Sequence, residues 1–173
     1  KNGESKAQMF LKHILRSHAL VKKLGKTMMM WDDFFEYADI LRELPRDIIL
    51  CNWNYYFVSD LPAGHWTGRV KKDWFYLYDK LGFDYLFCAY MGEYSSAYNV
   101  KTLTRYAMKY NPIGAVATSW EKSCSFYLST YPIMAAAGRL WSGRITEDDF
   151  LNVYTEVTGS KAIAEKLLSI DVP

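Results

Sequence analysis

At 173 residues the chain is long enough for one domain with a substantial core. Its net charge of +2, with Lys and Arg dispersed, offers no basic stripe, which argues against nucleic-acid and anionic-membrane partners. No apolar run reaches the ~18 residues of a membrane span, and the opening KNGESKAQ has neither signal-peptide nor transit-peptide character.

Half of the residues are hydrophobic and 17% are aromatic, including 14 Tyr and 6 Trp, so the rings must line a core or a site. Apolar residues Met9, Phe10, Ile14, Leu20, Val21 and Leu24 recur at helical spacing, with Gly25 where a helix ends. A strand follows at 27–31, then Asp32 and Asp33, then a helical pattern over 34–41 stopped by Leu44-Pro45. The run 48–53 is continuously apolar, as a strand buried on both faces requires. The aromatic loop YYFVSDLPAGHWTG leads to a helix at 70–81 closed by Gly82, and strand three occupies 85–89. After the loop GEYSSAYN a helix spans 100–110, and Asn111, Pro112 and Gly114 break it before strand four at 115–120. Tyr131-Pro132 opens an alanine-rich helix through Leu140. Two further helical patterns follow, one begun by a capping-box-like Thr146 and Asp149, the other by Ser160.

Strands alternating with helices predict an α/β fold with a parallel sheet. No Gly-x-Gly-x-x-Gly or Walker motif follows a strand, which disfavours a doubly wound nucleotide-binding domain. The four apolar runs TMMMWDD (27–33), IILCNWN (48–54), YLFCAYM (85–91) and AVATSWE (115–121) each close on an aromatic ring, three of them followed by a polar residue. In (βα)8 barrels the C-terminal strand ends build the active site, so this loading fits a barrel mouth that binds sugar. Four strands make half of such a barrel. With no initiator Met, the chain is expected to be a fragment or processed product lacking an N-terminal half. Cys51, Cys88 and Cys124 have no metal-ligand spacing and read as core thiols.

The strings KKLGKTMMMWDD, LPRDIILCNWNY and GAVATSWEKS, followed by YP and AAAGRLW, resemble glycoside hydrolase family 20, the β-N-acetylhexosaminidases, and within it the branch containing hexosaminidase D. The resemblance covers most of residues 10–142, and its warrant is the order and spacing of the motifs together. It implies strands five to eight of a TIM-type barrel and a substrate-assisted hydrolysis that needs no cofactor and no metal. In that reaction the sugar's 2-acetamido oxygen attacks the anomeric carbon. The family's Asp-Glu pair, which polarises the acetamido group and protonates the leaving oxygen, belongs to strand four. This sequence has no Asp-Glu dipeptide, so the acid is expected upstream.

The resemblance assigns this chain the pocket wall. Trp31 and Trp53 match positions that enclose the acetamido group or a sugar face, and Trp120 matches the pocket floor. Asp32, Asp33, Asn54 and Glu121 are suited to hydroxyls on the sugar's edge, which need polar partners to replace water. Tyr90 lies where the family positions the acetamido oxygen, although AYMGE stands in place of Tyr-Leu-Asp, and Glu121 follows Trp120 directly where the family often has Trp-x-Glu.

Other readings stay open at this point. A tryptophan closing a strand can simply cap the core, and Asp32 or Asp33 can cap the next helix. Glu93 reads as a loop carboxylate, and His13 and His18 as helix-surface or packing residues. His65 sits in the aromatic loop, where Tyr55, Tyr56, Phe57 and Trp66 form either a second sugar subsite or loop packing. The whole chain is alternatively a non-catalytic carbohydrate-binding or interaction module, or a different barrel glycosidase with Asp33 and Glu121 as its carboxylates. The expected partners are a carbohydrate with terminal N-acetylhexosamine and either the missing half-barrel or a second copy meeting the open sheet edges.

Overall fold

A computed structural model describes residues 3, 5–33, 35–55, 72–92, 96–120 and 130–170. Helix α1, Lys6–Lys23, opens on a capping box in which Ser5 Oγ accepts from the Gln8 N–H and the Gln8 side chain accepts from the Ser5 N–H. Gly25 follows it at φ 65°, a left-handed conformation that glycine adopts without a Cβ penalty. Strand β1, Met29–Trp31, is shorter than the sequence pattern over 27–31. The helix expected at 34–41 is a 3-10 segment, Phe35–Glu43, broken at Tyr37, whose ring meets Phe10 at 6.4 Å and whose φ and ψ leave the helical region.

Strand β2 is Ile49–Trp53, helix α2 Trp74–Leu81, strand β3 Tyr85–Tyr90 and helix α3 Ser96–Ala107. Helix α3 thus begins four residues before its apolar pattern. Strand β4, Gly114–Thr118, is followed by helices α4 (Tyr131–Trp141), α5 (Phe150–Thr158) and α6 (Lys161–Ile170). Before α5, the Asp149 carboxylate accepts from the Thr146 N–H at 2.8 Å, as the capping pattern predicts. The strand expected to run to Trp120 stops at Thr118, because β3 ends opposite it and the Met91 N–H closes the ladder on Thr118 O at 2.7 Å. Trp120 therefore lies just past the strand.

The four strands form one all-parallel sheet in the order β1-β2-β3-β4. One face is covered by helices: Leu50, Asn52, Tyr85, Phe87 and Ala89 are buried there, in a core shared with Ile14, Leu41, Phe75, Leu103, Ile133 and Phe150. Much of the aromatic surplus is here, since Phe75 of α2 stacks on Tyr85 at 5.1 Å and on Tyr106 at 4.9 Å. The opposite face carries Met29, Trp31, Ile49, Cys51, Trp53, Leu86, Cys88, Val116 and Thr118, which the register aligns on one side. Met29 and Trp31 are 53% and 39% exposed. The expectation of a β2 buried on both faces is met at its middle, where Leu50, Cys51 and Asn52 are all buried, and not at its ends, where Ile49 and Trp53 are half-buried. Among the described residues no helix is long and apolar enough to cross a membrane.

Candidate functional site

At the C-terminal end of the sheet, Trp31, Asp33, Trp53, Tyr55 and Trp120 line an open cavity of about 320 Å3. That is the small end of the range of ~300–1,000 Å3 for ligand pockets. The walls come from three strand ends: Trp31 and Asp33 from β1, Trp53 and Tyr55 from β2, and Trp120 from β4. Their polar edges are engaged with one another. Trp53 Nε1 donates to Asp33 Oδ1 at 2.8 Å, and Trp120 Nε1 donates to the Tyr55 hydroxyl at 2.7 Å. Tyr55 packs between Trp53 and Tyr90, each ring centroid 5.3 Å away and tilted. Burial pushes the Tyr55 phenol above its ordinary 10.0, while hydrogen bonding with Thr118 and Trp120 pulls the other way.

Asp32 and Asp33, adjacent in sequence, have opposite fates. Asp33 is exposed at the cavity, whereas Asp32 is 2% exposed and points away from it. The Asp32 carboxylate accepts from the Tyr78 hydroxyl of α2 at 2.6 Å, from Asn52 Nδ2, and from the Trp53 N–H at 3.4 Å. It thereby ties the end of β1 to β2 and to the helix layer. Burial and the Asp32 charge hold the Tyr78 phenol well above 10.0, so it remains a donor.

Asn54 is buried, and its carbonyl accepts from Asn99 Nδ2 at 2.9 Å, while Asn99 Oδ1 accepts from the Tyr90 N–H at 2.9 Å. Asn99, on α3, thus fixes the ends of β2 and β3 relative to each other. The Tyr90 ring lies directly over Gly92: a Cβ on Gly92 would sit 1.8 Å from the Tyr90 Cζ and hydroxyl oxygen. A Cβ there would require the Tyr90 ring to move aside.

Of the residues singled out from sequence, Trp31, Asp33, Trp53 and Trp120 meet at one cavity, and Tyr90 stands behind Tyr55. Asp32 and Asn54 lie beneath it in structural networks. Glu121, like Glu93, His65, Tyr56, Phe57, Trp66 and Cys124, falls outside the described residues. The sequence offers Tyr55 as part of an extra sugar subsite or as loop packing, and it does not mark Asn52, Tyr78, Asn99 or Gly92. Two positions past a strand-closing tryptophan was a usable signal for Tyr55. Tyr78 and Asn99 sit on helices where nothing in the local pattern marks them.

On the same sheet face, Cys51 and Cys88 hydrogen-bond each other. That bond holds the Cys51 thiol below its ordinary 9.0 and, with burial, pushes the Cys88 thiol far up. Among the described residues no group of three or more His, Cys, Asp or Glu is placed to hold a metal ion. No protein-family model matches the chain, and no curated protein matches it.

Proposed function

We propose that this chain is the sugar-holding half of a β-N-acetylhexosaminidase-type (βα)8 barrel, strands β1 to β4 being the fifth to eighth. The observation that carries the reading is the cavity of three tryptophans, a tyrosine and Asp33 at the C-terminal ends of sequentially ordered parallel strands. Doubly wound sheets reverse their strand order at a switch point, whereas barrels do not. The stagger of the strands also supports closure. Trp31 is level with Cys51, two residues short of the end of β2, and Trp53 is level with Cys88, two short of the end of β3. Strand tilt in barrels produces such a climb, although β3 and β4 end level, Tyr90 opposite Thr118.

On this reading Trp31 and Trp53 enclose the acetamido group or a sugar face, Trp120 supports the pyranose, and Asp33 accepts from a ring hydroxyl. Tyr90 orients the acetamido oxygen for attack on the anomeric carbon, and Asn99 and Gly92 hold Tyr90 in position. The Asp-Glu pair that completes the reaction lies outside residues 1–173. Asp32 acts from beneath, anchoring the Trp53 backbone.

The test is hydrolysis of 4-nitrophenyl N-acetyl-β-glucosaminide by residues 1–173 alone and by the longest natural polypeptide that contains them. Activity in the longer polypeptide alone supports the split site. Activity in residues 1–173 contradicts it and points to carboxylates such as Asp33 and Glu121. Silence from both favours a second reading, a carbohydrate-binding or interaction module, which the single carboxylate among the described lining residues also supports.

A further inference from the structure

We propose that the aromatic cavity is a binding site for a small organic cation, a quaternary or alkylated ammonium group. The inference rests on the cavity itself and stands apart from the hexosaminidase reading. Three indoles and a phenol line the space, and Asp33 is the one charged residue among the described lining. Aromatic faces carry negative quadrupole charge and attract ammonium groups, tryptophan most strongly, and cages of such rings recognise quaternary nitrogen.

The hydrogen-bonding pattern sharpens the choice of ligand. The Trp53 and Trp120 N–H groups are already engaged, by Asp33 Oδ1 and by the Tyr55 hydroxyl. What the described wall offers a ligand is mostly ring surface, with the second carboxylate oxygen of Asp33, the Trp31 N–H and the Tyr55 hydroxyl beside it. A trimethylammonium group has no hydrogen bonds to lose and needs only ring surface and one negative charge. Each indole N–H donated to an oxygen also leaves its ring more electron-rich. A cavity of about 320 Å3 has room for such a group and its carbon substituent.

The test titrates choline and 3,3-dimethylbutan-1-ol, its uncharged isostere with carbon in place of nitrogen, into the 173-residue chain at low ionic strength. Tryptophan fluorescence and the indole N–H resonances report binding. Choline is expected to bind roughly tenfold or more tighter than the alcohol. The Asp33→Asn variant is expected to bring the two close to parity, and Trp120→Leu to weaken choline. Trp120 is 63% exposed, so its replacement leaves the core intact. Equal affinity for the two probes overturns the proposal, as does binding of neither. So does an Asp33→Asn chain with unchanged far-ultraviolet circular dichroism and unchanged choline affinity. N-acetylglucosamine titrated alongside separates the two readings: choline without sugar keeps this inference and counts against the other, and sugar without choline does the reverse.

Discussion

Asp32 is the residue on which the base of the cavity depends. Replacing it by Ala leaves the Tyr78 hydroxyl and the Asn52 amide buried without their acceptor, at a cost of about 3 kcal/mol or more. Tyr78→Phe removes one donor and should cost about 1.5–3 kcal/mol, since the acceptor is a carboxylate. Urea denaturation of both variants checks the order, and an Asp32→Ala chain as stable as the parent would show that the network carries no weight. The thiol pair gives a second expectation. Cys51 is 6% exposed with its thiol held below the ordinary value, whereas Cys88 is fully buried with its thiol pushed up, so of these two Cys51 should be alkylated by iodoacetamide first. Peptide mapping after brief labelling at pH 8 reads the order; Cys88 labelled ahead of Cys51 would contradict it.

At the scale of elements, α3 is joined to α2, and α2 to the sheet, by phenols donating to carboxylates. Asp73 caps α2 through the Tyr76 N–H and also accepts from Tyr106 and Tyr110, while Asp79 accepts from Tyr85. Burial first, then these carboxylates, raise all three phenols, Tyr110 to about 12 and the other two further. A group whose pKa is raised by folding contributes its stability in full below its unfolded value, here 10.0, and loses it as pH climbs through the folded value. Stability should therefore hold level with respect to these groups up to about pH 10 and fall above it. Melting temperatures from pH 8 to 12 test this, and a Tyr106→Phe Tyr110→Phe chain should show a shallower alkaline decline. The helices and strands themselves were legible because period and punctuation agreed, as at Gly25, Gly82 and Pro132. The tyrosine–aspartate bonds were not legible, because they join residues 33 and 37 positions apart.

For the whole molecule, the sheet order and the cavity follow from one sequence habit, aromatic residues closing apolar runs, and that much could be read in advance. The separation of Asp32 from Asp33 could not. Consecutive residues leaving a strand point to opposite faces, and which of the two is buried is decided by Tyr78, distant in sequence. Among the described residues β1 and β4 are each paired on one side only, and Met29 and Trp31 lie open on the apolar face between them. Open parallel edges beside an apolar face recruit further strands. Residues 1–173 purified alone should therefore sediment faster as concentration rises. A concentration-independent species of 20.1 kDa would show that the face is covered within the chain.

The approach of the Tyr90 ring to Gly92 constrains more than this one molecule. The space that a side chain at position 92 would need is occupied by the phenol two residues before it, so a larger residue at 92 requires the Tyr90 ring to move or shrink. Among relatives, a residue with a Cβ at 92 should appear together with a small or displaced residue at 90.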